Sequence, residues 1–272
     1  MTDARRAETF EGRTPEALAL EWGVPRVELW ARIGSTNDRA AELAVSGAPR
    51  GATVVAHEQT AGRGRRGNRW IAAAGAGLWM SVVLDAADAA PQLPLVVGVA
   101  CAEGIEELAP ALRVRLEWPN DLVIGRRKVG GVLAERASER VIVGIGINVS
   151  LPTDGSLDGE PRATALDVEG AEGLSRSALA GVILTALMRR LRTDRPVADA
   201  IEAIGERDAL RNRTVETEQA GYGVARGVDE QGALVLERAD GSRVTVVSGS
   251  VRLAEPRVGP EWTGARPAHR LD

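Results

Sequence analysis

The chain has 272 residues, 44% hydrophobic and 26% charged, with a formal net charge of −4. That length gives one large domain, or a medium domain plus a small one, with ample apolar content for a core. The acidic balance excludes a general nucleic-acid binder, and the longest apolar run, near residues 93–102, is too short to span a bilayer. The polar opening of the chain has no signal-peptide character. The single cysteine, Cys101, sits among apolar residues, so a buried thiol in a reducing cytoplasm is expected.

Residues 1–13 read as a loose polar tail. Thr14-Pro15-Glu16 then supplies an N-cap and a proline at the first helical position, and Gly23 can stop a short helix. Residues 27–33 have strand character. Ser35-Thr36-Asn37-Asp38 follows as a capping cluster for a helix whose apolar side is Ala40, Ala41, Leu43 and Ala44, ended by Gly47. A strand at 52–57 leads into Gln59-Thr60-Ala61-Gly62-Arg63-Gly64-Arg65-Arg66-Gly67-Asn68-Arg69-Trp70. Glycine lets the backbone approach a ligand closely, and arginine offers a planar donor fork suited to phosphate. The stretch is therefore expected to be a surface loop whose arginines repel one another until an anion orders it.

Residues 77–84 read as a buried strand, and 93–108 as a helix packed on a sheet with Glu103, Glu106 and Glu107 towards water. A strand at 114–118 runs into Trp118-Pro119-Asn120-Asp121. A hairpin follows, turning at Gly125-Arg126-Arg127 and returning from Lys128 to Glu135. Lys128 is the only lysine among 34 basic residues. Ammonium is compact and guanidinium planar, so the exception points to a task arginine cannot perform. In 140–149, Val143, Ile145 and Ile147 alternate with Gly144 and Gly146, a bare face of the kind a strand needs where a ligand lies on the sheet.

Residues 151–161 form a Pro/Gly/Asp loop, and helices follow at 175–191, capped by Ser175, and at 197–208. After Asn212 the texture changes to short strands at 213–218, 221–228, 233–237 and 242–247 separated by turns, which reads as a small SH3-like β-barrel. The fold class is α/β: a mixed sheet with flanking helices, then the barrel. The expected divisions are a catalytic domain at 14–210, a barrel at 211–256, and flexible tails at 1–13 and 257–272.

The glycine–arginine loop resembles that of biotin protein ligases, and the rest of that family's pattern occurs in order. Ser35-Thr36-Asn37 stands before it, between a strand and a helix. Trp118-Pro119-Asn120-Asp121, then Lys128-Val129-Gly130-Gly131, then Gly144-Ile145-Gly146-Ile147-Asn148 stand after it. The resemblance runs from about residue 25 to residue 255. It implies a ligase that makes biotinyl-5′-AMP from biotin and ATP, with Mg2+ accompanying the nucleotide. Biotin then passes to a lysine of a biotin carboxyl carrier domain.

On this resemblance, catalysis falls to Lys128, Arg65 and Asp121. Biotin binding falls to Ser35, Thr36, Asn37, Gln59, Arg63, Gly64, Arg65, Lys128 and Gly131. ATP binding falls to Arg63, Arg65, Arg66, Trp70, Asn120, Lys128 and Asn148, and metal ligands are left unassigned. The ureido ring of biotin carries N–H donors and a carbonyl acceptor, which hydroxyls and amides such as Ser35, Thr36, Asn37 and Gln59 can satisfy without a charge. Too few residues precede Ser35 for the helix-turn-helix domain some of these ligases carry, so a monofunctional form is expected. The barrel brings none of the polar ligand set and is expected to dock the carrier or cover the site. No nucleic acid or membrane is expected as a partner, and the chain itself is expected to be a monomer or weak homodimer. The alternatives are a lipoate-type ligase of the same fold and, from another class, an RNA-binding module.

Overall fold

The computed structural model describes residues 4–152 and 162–254. In chain order, β1 (Arg5–Arg6), α1 (Pro15–Trp22), β2 (Val27–Arg32), α2 (Thr36–Val45), β3 (Thr53–Ala56) and β4 (Gly77–Asp85) come first. Next are α3 (Leu93–Leu108), β5 (Val114–Glu117), β6 (Asp121–Ile124), β7 (Arg127–Ala137) and β8 (Arg140–Asn148). Helices α4 (Arg176–Arg190) and α5 (Pro196–Arg207) then lead to β9 (Thr214–Thr217), β10 (Gly221–Val228), β11 (Leu234–Glu237), β12 (Arg243–Val246) and β13 (Val251–Leu253).

The first eight strands form one sheet in the order β1-β2-β3-β4-β8-β7-β6-β5. Only β2 and β3 pair in parallel, so the sheet is mixed as its sequence implies. Side chains alternate across the pleat. On β4, Val82 and Leu84 join the large core while Val83 joins a smaller one with Ala40, Leu43, Val54 and Ile142 beneath α2. On the large-core side α3 lies nearly wholly buried, with Val97, Val99, Cys101 and Ile105 at 0% exposure. Gly104 lets α4 close on it, since a Cβ there would meet Ile183 Cγ1 at 2.7 Å. Burial also pushes the Cys101 thiol far above its ordinary range, so it is an inert core residue. No helix of the described residues is long and apolar enough to cross a membrane.

Two sequence expectations are corrected here. Residues 4–13 are not a loose tail: β1 pairs antiparallel with β2, and Phe10 is buried at 1% exposure. The opening segment is held by specific partners that its polar composition conceals. Arg6 pairs with Glu28 at 3.1 Å and stacks on Trp30, while Glu11 accepts from Ser175 Oγ and from the amides of Arg176 and Ser177 at the start of α4. Nor do Glu103 and Glu106 simply face water. Glu103 binds Arg189 and Arg190 on α4, and Glu106 accepts from Arg207 and from Val114 N, tying α3 to its neighbours. Residues 1–3, most of the 151–161 loop and the 257–272 tail lie outside the described residues.

The last five strands form an antiparallel sheet in the order β12-β11-β10-β9-β13. Its fifth strand, only three residues long, was not read from the sequence because Val-Arg-Leu gives no periodicity to detect. This sheet docks on the larger unit through Gly232, whose carbonyl accepts from Trp118 Nε1 at 2.9 Å. Gly232 has φ +77°, and a Cβ there would lie 2.5 Å from Gln92 Cγ, so glycine is required twice over.

Candidate active site

Every residue singled out for a site from the sequence lines one cavity of about 610 Å³, between the glycine–arginine loop and the glycine face of β7 and β8. Its uncharged part is built at the start of α2. Ser35 caps the helix, its Oγ accepting from Asn37 N at 3.2 Å, so one hydroxyl serves both fold and cavity. Gln59 Oε1 accepts from Thr36 N at 2.7 Å and from Thr36 Oγ1 at 3.0 Å. Asn37 Nδ2 donates to Glu135 Oε2 at 2.6 Å. Ser81, fully buried on β4, places Oγ 2.7 Å from Thr36 Oγ1 and 2.6 Å from Asn37 Oδ1, where its one proton serves a single acceptor at a time. Sequence reasoning missed Ser81. The available signal was a lone hydroxyl in an apolar strand, which must find a buried partner.

The glycine face is bare as expected, but its occupants are the protein's own side chains. A Cβ on Gly144 would come within 2.4 Å of Asn37 Oδ1, and one on Gly146 within 2.8 Å of the Trp70 ring. Gly144 and Gly146 also line the cavity, so the bare stripe admits Asn37 and Trp70 as well as opening on the site. Trp70 also meets Trp79 edge-on, with ring centroids 6.3 Å apart. Its indole Nε1 is buried with no hydrogen-bond partner among the described residues.

The charged part starts from the hairpin. Asp121 opens β6, and Lys128 follows Arg127 at the start of β7, which brings Lys128 Nζ to 2.8 Å from Asp121 Oδ2. The ammonium also lies 5.6 Å from the Trp70 ring. Residues 162–164 strap the strand from outside, with Lys128 N donating to Arg162 O at 2.7 Å and Thr164 N to Lys128 O at 2.8 Å. Asn148 Nδ2 donates to Thr164 O at 2.9 Å, and Asn120 Nδ2 to Val132 O at 2.9 Å. Glu117 on β5, 5% exposed, takes a two-point contact from Arg162 at 3.1 and 2.8 Å.

The loop arginines divide by partner: Arg63 and Arg66 meet carboxylates, while burial and the Arg66 charge both lower the pKa of Arg65, the second as the expected repulsion requires. Arg63 makes a two-point contact with Asp38, at 2.9 and 2.6 Å, and lies 3.4 Å from Glu135. Its hydrogen bonds to Asp38, opposed by burial, push its pKa above the ordinary guanidinium range. Arg66 donates to Glu218 Oε2 at 2.7 Å. Arg65 is different. It points inward, Nη1 donating to Asn120 Oδ1 at 3.4 Å and to Gly249 O at 3.3 Å, both neutral oxygens. Burial lowers its pKa, with the Asp121 charge acting against that. Gly249, Ser250 and Val251 complete the lining, so the C-terminal sheet supplies part of the cavity wall that its composition did not announce.

The cavity thus joins an uncharged hydrogen-bonding end to a cationic end, a division suited to a ligand with a polar neutral head and an anion behind it. The Biotin/lipoate A/B protein ligase family matches residues 29–151, and the Biotin protein ligase C terminal domain matches residues 212–253. The biotin–[acetyl-CoA-carboxylase] ligase of Mycobacterium tuberculosis is 33% identical over 241 residues, spanning 84% of this chain and 89% of its own. The bifunctional ligase/repressor BirA of Bacillus subtilis is 36% identical over 225 residues, covering 77% of this chain and 68% of its own. The biotin protein ligase of Aquifex aeolicus, solved with biotin and ATP, superposes with a TM-score of 0.76 at 28% identity, over 84% of this chain and 99% of that one. The chain belongs to the biotin protein ligase family.

Proposed function

We propose that the chain converts biotin and ATP to biotinyl-5′-AMP and pyrophosphate, then transfers biotin to a lysine of a biotin carboxyl carrier domain. One observation carries this reading. The Lys128–Asp121 pair and Arg65 share a single cavity with the uncharged set Ser35, Thr36, Asn37 and Gln59. The uncharged set suits the ureido head, whose donors and acceptor need partners without charge. Lys128 and Arg65 suit the carboxylate and the α-phosphate, two anions that repel each other until cations bring them together.

In the first step a biotin carboxylate oxygen attacks the α-phosphorus, and the bond to pyrophosphate breaks. No proton moves. The demand is for positive charge on the phosphoryl oxygens, which Lys128 meets as a compact point charge steered by Asp121. In the second step the carrier amine attacks the acyl carbon, the anhydride C–O bond breaks, and AMP leaves as the amine sheds a proton. Asp121 is the carboxylate placed to orient that amine or accept its proton. Trp70, lying along the glycine face, walls the acyl chain from water, which the fragile anhydride requires.

Mg2+ does not fit these residues as a resident ion. Among the described residues no group of three metal-ligating side chains is found, and the two acids lining the cavity, Glu117 and Asp121, engage Arg162 and Lys128. It would enter as counter-ion of the nucleotide phosphates, and no step is routed through it. A buried single thiol agrees with a cytoplasmic setting.

The test is transfer. The chain, ATP and biotin are incubated with a carboxyl carrier domain, with and without excess lipoate, and the carrier is read by mass spectrometry. Biotin on one carrier lysine, unaffected by lipoate, is the expected result. Lipoyl-carrier in place of biotinyl-carrier would assign the site to the lipoate branch of the fold.

A further inference from the structure

Arg65 and Arg66 are neighbours in a short 3-10 turn, yet they take different partners. Arg66 has φ 59° and ψ 27°, a left-handed conformation that a residue with a Cβ adopts only when its surroundings hold it there. That twist lets Arg65 reach Asn120 while Arg66 lies along the cavity's edge against the C-terminal sheet. There Arg66 Nη1 donates to Glu218 Oε2 at 2.7 Å and to Ser250 Oγ at 3.4 Å. Ser250 Oγ in turn donates to Glu218 Oε1 at 3.2 Å. The carboxylate therefore holds both the loop arginine and the hydroxyl, and these two hydrogen bonds, Arg66 first, keep its pKa below the ordinary carboxylate range.

The placement of Glu218 gives the contact its meaning. It follows β9, and Ser250 precedes β13, the strand paired with β9 through Val251 and Thr217. Gly249, next to Ser250, supplies the carbonyl that accepts from Arg65 Nη1. A single side chain thus ties down Arg66 on the loop and the segment that aims Arg65. The other anchors of Arg65 are weak, at 3.3 and 3.4 Å to neutral oxygens, so its position depends on where loop and sheet are held.

We propose that Glu218 is a positioning residue for adenylation: by holding Arg66 and Ser250 together, it fixes where Arg65 presents its charge to the nucleotide. The proposal rests on the reading of the cavity as an adenylation site. It makes the C-terminal sheet part of the first half-reaction as well as a cover for the site. On this reading biotin's uncharged head rests on Ser35, Thr36, Asn37 and Gln59, while its carboxylate shares Arg65 with the nucleotide, so biotin binding should suffer less than nucleotide use.

The test uses the full chain with Glu218→Ala and Glu218→Gln. Biotin affinity is measured by calorimetry, and single-turnover formation of biotinyl-adenylate is followed against ATP concentration. An exposed ion pair of this kind, together with a small misplacement of Arg65, should raise the ATP requirement or slow adenylation about 5- to 10-fold in Glu218→Ala. Glu218→Gln keeps an oxygen for Arg66 and Ser250 and should fall between Ala and wild type. Biotin affinity should fall by a smaller factor than the ATP requirement rises in both, and the gap to wild type should narrow at high salt as the pair is screened. Wild-type adenylation in Glu218→Ala overturns the proposal. So does an equal loss of biotin and ATP affinity in both variants, which would mark a purely structural contact. If the wild-type chain itself forms no adenylate, the reading of the cavity fails first, and the two failures are distinguishable.

Discussion

In Gly144→Ala the new Cβ would lie 2.4 Å from Asn37 Oδ1 and 3.1 Å from Asn37 Cγ. Ordinary contact begins at 3.4 Å, so the amide must retreat by about 1 Å. It has little freedom to do so. Its Oδ1 is held by Ser81 Oγ at 2.6 Å, its Nδ2 by Glu135 at 2.6 Å, and its backbone N by Ser35 at 3.2 Å. Breaking one of these buried bonds and leaving a partner unsatisfied costs about 1–3 kcal/mol. A tenfold change in affinity corresponds to about 1.4 kcal/mol, so biotin binding should weaken by about 5- to 150-fold if Asn37 contacts the ureido ring. Titration calorimetry with biotin alone measures this directly. Gly205→Ala on α5 is the control, because its Cβ meets nothing within 4 Å and alanine is the better helix former. The control should bind biotin normally and gain a little stability. Unchanged biotin affinity in a folded Gly144→Ala would refute the placement of Asn37 in the biotin subsite.

Three further outcomes follow from named contacts. Lys128→Arg should fold normally yet form biotinyl-adenylate at least ~100-fold more slowly, because a planar guanidinium cannot sit between two anions as ammonium does; single-turnover kinetics should show transfer from preformed adenylate suffering less. Asp38→Asn should leave Arg63 with only its longer contact to Glu135 and raise hydrogen exchange across residues 62–68 in the unliganded chain, an effect that unchanged exchange would contradict. Glu28, 2% exposed, would be raised by burial, but its hydrogen bond from Arg39 and the charges of Arg6 and Arg39 hold it at about 2 instead of 4.5. A carboxyl depressed in the folded state stabilises fully above its ordinary pKa and ceases to do so as pH falls through the folded value. This is worth on the order of 3 kcal/mol at neutral pH. Urea unfolding of Glu28→Gln against wild type should show that difference at pH 7 and its decline between pH 4.5 and pH 2.

What was legible in the sequence was local or periodic. Asp121 and Lys128 come within ion-pair reach because a hairpin returns the chain on itself, Asp121 pairing with Gly131 and Lys128 with Val123, and a hairpin is written in its turn residues. Helix α3 was readable to its ends from length and apolar content. The bare stripe of Gly144 and Gly146 was also visible, but its occupants were not, since Asn37 and Trp70 reach it through folding. The loop arginines show the same limit more sharply. The carboxylate partners of Arg63 and Arg66 stand 25, 72 and 152 residues away, at Asp38, Glu135 and Glu218, so part of a charge run that looks self-repelling is paired by elements no local window contains. The opening segment was misread for a related reason: one buried aromatic, Phe10, and a two-residue strand leave almost no pattern.

The central claim is that this cavity activates biotin with ATP before any carrier is present. The purified chain, biotin and ATP labelled at the α-phosphate are incubated without an acceptor, quenched, and separated. The account predicts labelled biotinyl-adenylate in an amount close to that of the enzyme, with matching pyrophosphate and none without biotin. Labelled ATP left intact under conditions where biotin binds would contradict it.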